Sequence, residues 1–352
     1  MKTKNPGLLQ LIIAVFLATS CGPSKQVSFH VTRPAEITLP ADANTILLID
    51  RTKFSSEILN TLEGLLTGEL PADDKAAAQE ALNSLKKELD TSPRFQVKIL
   101  PDRFTGNSVT ASFPDALSWD FINQLCLANQ AEIVVALEVF DSNFILTNGA
   151  RVKKKTEGDG DKRHEVEYTE YYAQGVGSIK MGIRTYYNKD RTIVDQEMIS
   201  RNNTWEAVGT SPADALAMLI SKSNANKYLA KGVGSDYAYK ISPMSVRVTR
   251  PFYGKSKHIP EMAEGARYAD VNKWKEAIES WKRGLNKATG KDVGKLAYNI
   301  AVGYEVVGEY GYALTWAQDA YTRYGNKDGR SYAAELQRRI DEEELVKKQM
   351  NH

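Results

Sequence analysis

GARYADVNKWKEAIESWKRGL (residues 265–285) and AVGYEVVGEYGYALTWAQDAY (residues 301–321) lie over each other at a constant offset. Gly265 falls on Ala301, Tyr268 on Tyr304, Asn272 on Gly308, Trp274 on Tyr310, Ala277 on Ala313 and Trp281 on Ala317, each 36 residues apart. An aromatic residue, a tight turn, a second aromatic and a small residue at this period mark stacked helical hairpins. A charged amphipathic stretch from Ser331 to Val346 follows, with the character of a solubilising end cap. Hairpins of this kind build binding surfaces and rarely carry chemistry.

The two units resemble tetratricopeptide repeats. That family places a small residue in the middle of the first helix, Tyr one turn on, a turn residue, an aromatic opening the second helix, and then Ala. Gly265, Tyr268, Asn272, Trp274 and Ala277 fill these places in the first unit, and Ala301, Tyr304, Gly308, Tyr310 and Ala313 in the second. The small residues let helices approach closely, while the aromatics, Trp281 among them, fill the gap between neighbours. The resemblance implies a partner groove on the inner face of each first helix. By position that face offers Met262, Ala266 and Ala269, then Lys295, Tyr298, Val302 and Glu305. Because stable arrays want three or more repeats, the alternative is that this face packs against the α/β domain and binds nothing.

The chain opens with Lys2 and Lys4, an apolar run from Leu8 to Leu17, and Ala18-Thr19-Ser20-Cys21. The run has the length of a secretory leader and falls short of a stable membrane span. The four residues ending at Cys21 resemble the lipobox of bacterial lipoproteins, with Ala18 where that pattern usually has Leu. The resemblance implies that residues 1–21 form a lipoprotein signal peptide and that Cys21 is diacylated as the new N-terminus. Gly22 stands where Asp would signal inner-membrane retention, so the expected location is the periplasmic face of an outer membrane. Acyl chains anchor because each buried methylene contributes about 0.8 kcal/mol.

Lys and Arg total 46 against 44 Asp and Glu, which leaves no field to recruit nucleic acid. The only cysteine besides Cys21 is Cys126, set between Leu125 and Leu127, and it reads as a small core residue.

Residues 22–43 read as a tether with edge pieces at Phe29–Val31 and Ile37–Leu39, broken by Pro34 and Pro40. Residues 44–255 read as an α/β domain. Thr45–Asp50 is a continuous apolar run of buried-strand length. Helices are expected at 55–66, 73–90 and 119–128, with strands at 95–100 and 131–140. That order implies an α/β sheet. Long antiparallel strands then run from Phe144 to Ala207, turning at Glu157–Gly160 and Asn188–Asp190. Ser211 and Pro212 open a helix as N-cap and N1, and Tyr237–Tyr253 reads as strand. Residues 256–352 carry the hairpins and the capping helix. The fold class is thus an α/β mixed sheet with an antiparallel extension, followed by an all-α hairpin domain. This order of elements is similar to periplasmic lipoproteins of the curli-secretion-channel and penicillin-binding-protein-activator type. With the hairpins added it resembles a family of outer-membrane lipoproteins without an assigned activity.

Glu157–Asp161 offers oxygen ligands for calcium but lacks the spacing of an EF-hand, and reads as a solvated hairpin tip. Gly284–Lys291 departs from a phosphate loop in spacing and in the Asp after its lysine. His30, His164, His258 and His352 are scattered, so no metal site, cofactor site or catalytic constellation is assigned. Tyr168, Tyr171, Tyr172, Tyr186 and Tyr187 read as a packed sheet face, with a sugar-stacking surface as the alternative. The expected function is a non-enzymatic, lipid-anchored envelope scaffold docking an unidentified envelope protein. The alternatives are a glycan-binding or glycan-processing lipoprotein and a subunit of an oligomeric secretion assembly.

Overall fold

Residues 25–52, 71–104 and 112–350 are described by the computed structural model. The leader with Cys21 and the helix expected at 55–66 lie outside them. Strands and helices alternate first as β1 (Lys25–Arg33), β2 (Thr45–Asp50), α1 (Pro71–Leu89), β3 (Gln96–Arg103), α2 (Trp119–Asn129) and β4 (Ile133–Glu157). Then come β5 (His164–Tyr187), β6 (Thr192–Gly209), α3 (Pro212–Met218), α4 (Lys222–Ile241) and β7 (Met244–Phe252). The C-terminal helices are α5 (Pro260–Asp270), α6 (Trp274–Leu285), α7 (Lys291–Val306), α8 (Tyr310–Thr322) and α9 (Asp328–Met350). The chain is α/β overall, β-rich in the middle and helical towards its end. It forms two compact units, one of residues up to His30 with Arg247–Ile340, the other of Val31–Val246 with Asp341–His352. The changeover at Val246 precedes the boundary at residue 255 expected from sequence.

In the α/β unit the five strands stand in the order β3-β2-β4-β5-β6. β2 pairs in parallel with β3 and with β4, from Ile46 opposite Ile133 to Asp50 opposite Leu137. All six residues of β2 are buried because both faces of a parallel sheet are covered. Period-two alternation divides them: Ile46 and Leu48 enter one core with α1 and α4, Leu47 and Ile49 a second with α2. Gly234 on α4 permits close approach to α1, since a Cβ there would stand 2.1 Å from the Ala81 carbonyl oxygen.

β4 is one strand of 25 residues, not two separated near residue 141. It runs antiparallel to β5 from Ile133 opposite Tyr187 to Glu157 opposite His164. β6 continues the sheet from Thr192 opposite Tyr187 to Gly209 opposite Tyr171. The expected turns join these strands, and Ser211 caps α3 by accepting from the Asp214 amide at 3.1 Å. Two expectations are corrected. Ile37–Leu39 is not a strand, and Tyr237 lies in α4, with strand only from Met244. Leu229, Ala230, Val233, Tyr237, Ala238 and Ile241 share the buried stripe of α4 at spacings of three and four. That period outweighs the strand preference of the aromatics.

The helical unit has its own core, formed by Phe252, Tyr253, Met262, Trp274, Trp281, Ile300, Val302, Tyr332 and Leu336 among others. α9 contributes Tyr332 and Leu336 to it, so its first half is packed.

Candidate partner-docking site

The two hairpin turns share a left-handed residue and one backbone hydrogen bond at equivalent places. Asn272 has φ 60° and Gly308 has φ 83°, the left-handed backbone that ends a helix and favours Gly or Asn. The Lys273 amide donates to the Tyr268 carbonyl at 2.9 Å, and 36 residues on the Glu309 amide donates to the Tyr304 carbonyl at 2.9 Å. Asn272 adds a bond of its own, its Oδ1 accepting from Trp274 Nε1 at 2.8 Å.

Several of the repeat residues are in close contact. A Cβ on Gly265 would stand 2.3 Å from Trp281 Nε1. That nitrogen instead donates to the Met262 carbonyl at 3.2 Å. Ala277, Ala301 and Ala313 are fully buried between helices. Trp274 meets Phe252 edge-on at 6.1 Å, and Tyr310 lies beneath the Arg339 guanidinium at 5.4 Å.

The predicted partner groove is a correction. Met262, Ala266, Ala269, Tyr298, Val302 and Glu305 are all buried, and Lys295 pairs with Asp292 at 3.1 Å. The chain's own segment Arg250–Tyr253 and α9 occupy this face. Arg250 donates to both oxygens of Glu305, at 2.7 and 2.9 Å, and Tyr332 Oη donates to the same carboxylate at 2.6 Å. Burial works against the Arg250 charge, yet the Glu305 bonds hold its pKa above the ordinary value. Burial, with the Glu305 charge, raises the Tyr332 phenol well above its ordinary range. Tyr298 stacks edge-on against Tyr253 at 5.7 Å. Asn299, which sequence reasoning passed over, holds both backbone polar groups of Tyr253. A polar residue at a core position of α7 was the one available signal.

Open surface lies at the turn end of the second hairpin. Lys275, Ile278 and Glu279 from α6, Tyr304 from α7, Val307 just after it, and Glu309 and Tyr312 surround a pocket of about 370 Å³. Ile278 and Val307 supply an apolar floor. Tyr304 and Tyr312 stack at 5.3 Å with Tyr312 61% exposed. Lys282 Nζ stands 5.3 Å from the Tyr304 ring centre and 3.0 Å from Glu279. Its pKa is raised, first by the Tyr304 hydroxyl and then by Glu279. An apolar floor, an aromatic wall and a rim of both charges suit an aromatic or aliphatic side chain presented by another protein.

Residues 43–253 match the family described as a domain of unknown function, DUF8603. The chain belongs to the DUF8603 family. Residues 263–345, which carry the hairpins, match a second domain of unknown function, DUF6340. No curated protein matches the chain. Among solved structures, the PelC dodecamer from Paraburkholderia phytofirmans is similar at 10% identity and TM-score 0.25, over 62% of this chain and 99% of that one. A neuraminyllactose-binding hemagglutinin homolog from Helicobacter pylori is similar at 11% identity and TM-score 0.26, over 58% and 94%. The hypothetical protein CT253 from Chlamydia trachomatis is similar at 12% identity and TM-score 0.22, over 55% and 96%.

The DUF8603 region holds a buried charge network that its sequence did not reveal. Glu138 of β4 receives Arg51 on Oε1 at 2.9 Å, with Tyr186 donating to the same oxygen at 2.7 Å. Arg184 stands 2.8 Å from Oε2. Burial raises the Tyr186 phenol. The tyrosines of β5 do not form one face: Tyr186 and Tyr187 are buried in opposite cores, while Tyr168 is 37% exposed. Cys126 is buried, and burial followed by the Glu132 charge lifts its thiol to about 11. Glu157–Asp161 sits at the β4–β5 tip. Among the described residues no group of three or more His, Cys, Asp or Glu is placed to hold a metal ion.

Proposed function

We propose that this chain is a lipid-anchored cell-envelope protein that docks another envelope protein through tetratricopeptide-like hairpins, without chemistry of its own. The observation that carries the reading is the open pocket walled by Tyr304 and Tyr312 on a duplicated, tightly packed hairpin frame. A frame whose turns and aromatics are set before binding lowers the ordering cost of association. Exposed aromatics at such a site are the residue types that dominate interface energetics. Arg250–Tyr253 fills the inner face, so the reading puts the docking element at the turn end around Tyr312.

Anchorage rests on the lipobox-like Ala18-Thr19-Ser20-Cys21, with the outer membrane following from Gly22. The test is affinity capture of the tagged full chain from crosslinked cells, with partners identified by mass spectrometry. Loss of one partner in Tyr304→Ala and Tyr312→Ala supports the reading, and an unchanged partner set overturns it. Cys21→Ala releases the protein from membranes if the anchor is acyl chains.

A further inference from the structure

β6 stands last in the five-stranded sheet, with β4 and β5 between it and β2. β5 pairs with one side of β6, and among the described residues no strand pairs with the other. The pairing with β5 is regular from Asp195 to Gly209, and the register shift at Thr185/Tyr186 leaves Val194 as a bulge. A strand margin of this kind offers N–H and C=O groups to another strand unless charges, Pro or a bulge guard it. The charges of β6 do not guard it against its own copy. In Asp195–Asn203, DQEMISRNN, an antiparallel copy turned about Ile199 sets Glu197 opposite Arg201, Asp195 opposite Asn203 and Gln196 opposite Asn202. Each of these pairs occurs twice under the two-fold, and no like charges meet. Axes through Glu197 or Arg201 put like charges directly opposite each other, which destabilises a sheet. An axis through Met198 shortens the regular stretch to Asp195–Arg201, because Val194 interrupts it.

α4 lies across the same two strands. Leu229 reaches to 3.3 Å from the place of a Cβ on Gly177 of β5. Tyr237 Oη bonds Thr185 of β5 at 2.7 Å and donates to Asp195 of β6 at 2.8 Å, while Arg201 of β6 donates to Asp236 at 2.7 Å. A helix seated above β5 and β6 falls two strand spacings, about 10 Å, from its copy across a β6–β6 contact. Packed helices stand about 8–10 Å apart, so the strand contact and a helix contact form together. Tyr228, Ser235 and Tyr239 follow one flank of α4 at helical spacing. Tyr228 meets Trp205 of β6 edge-on at 5.8 Å, which turns this flank towards the strand margin. Tyr228 is 58% and Tyr239 40% exposed, aromatic surface that a facing α4 covers. The two-fold runs the helices antiparallel, so the Tyr228 end of each meets the Tyr239 end of the other. Glu197 pairs with Lys240 and Arg201 with Asp236 inside one copy, and the Glu197–Arg201 contacts join these pairs into one network of alternating sign.

We propose that the α/β unit forms a two-fold dimer through β6 and α4, a second copy of this chain continuing the sheet across the β6 margin. Such a contact is isologous and closes on itself. It uses neither the hairpin pocket nor the lipid anchor, so it stands or falls apart from the docking reading.

Sedimentation velocity on the full chain in non-ionic detergent tests the dimer, and the wild type should sediment as one. Arg201→Glu and Glu197→Arg each set two like-charge pairs across the axis and should dissociate about tenfold more readily. A mixture of the two variants should recover wild-type association, because the heterodimer restores both opposite-charge pairs. Tyr239→Glu, exposed and outside the strand, should weaken the dimer by a similar factor. Circular dichroism checks that each variant keeps its fold. Gln196 and Asn202 are both exposed, and oxidation of Gln196→Cys/Asn202→Cys should give a reducible cross-linked dimer. A monomeric wild type overturns the proposal. So does a dimer indifferent to both charge variants, a mixture that stays dissociated, or a failure to cross-link.

Discussion

Asn299 clamps the backbone of Tyr253: its Oδ1 accepts from the Tyr253 amide at 2.7 Å and its Nδ2 donates to the Tyr253 carbonyl at 2.7 Å. The chain thereby fills the inner hairpin face with its own residues, as a strand-like segment held by a side-chain amide. Asn299→Leu removes both bonds and leaves two buried backbone groups unpaired, a cost of about 2–4 kcal/mol. Chemical denaturation of the full chain measures it, and hydrogen exchange should show the Tyr253 amide losing protection. An amide that stays protected contradicts the clamp.

Glu305 neutralises Arg250 in the same core, with Tyr332 as a third member. Glu305→Gln leaves the buried Arg250 guanidinium with only the more exposed Glu335, 3.0 Å away, as an ionic partner, and should destabilise by about 3 kcal/mol. Arg250→Met combined with Glu305→Leu removes both charges and should be milder than either change alone. A double-mutant cycle that shows simple additivity would disprove the coupling.

Alkaline pH tests the buried phenols. Tyr332 and Tyr298 are raised above the ordinary value of 10.0, each first by burial. A phenol whose folded pKa exceeds its unfolded one contributes stability that is complete below the unfolded value and lost as pH rises towards the folded one. Unfolding free energy, measured by chemical denaturation, should therefore fall above about pH 10 while the buried phenols stay protonated in the folded protein. Flat stability through that range would count against burial of these rings.

Gly265 and Gly308 separate two roles of glycine. Gly265→Ala drives a methyl into Trp281 and should cost about 1–3 kcal/mol through overpacking. Gly308→Ala meets nothing within 4 Å, so only its positive φ is penalised, at about 1–2 kcal/mol. Thermal melts of both variants decide, with the larger shift expected at Gly265.

Tyr312 lies on open surface, so Tyr312→Ala should change stability by less than about 0.5 kcal/mol. Partner binding should weaken by about 2 kcal/mol or roughly thirtyfold if this ring is an interface anchor. Titration against the captured partner reads the second number and calorimetry the first.

The hairpins, their period, their turn residues and their packing glycine were legible in the sequence because all depend on neighbours within one repeat. The same holds for β2, whose unbroken apolar run at Thr45–Asp50 announces a strand covered on both faces. Tyr237 was misplaced because strand preference and helical spacing compete locally, and packing of α4 against α1 settles the competition. The inner face of α5 and α7 was expected to be an open partner groove, and the chain's own Arg250–Tyr253 and α9 fill it.

Spacing alone determined the repeat of 36 residues, the positive-φ places at Asn272 and Gly308, and the strand-helix order of the first half. Those properties arise from hydrogen bonds and side-chain contacts between residues a few positions apart. Tertiary structure alone decided that Arg250–Tyr253 fills the inner face, that Glu138 gathers Arg51 and Arg184, and that β4 pairs with β5 along its whole length. Each of these depends on which distant segment arrives at a surface, and residue spacing along the chain does not encode that arrival.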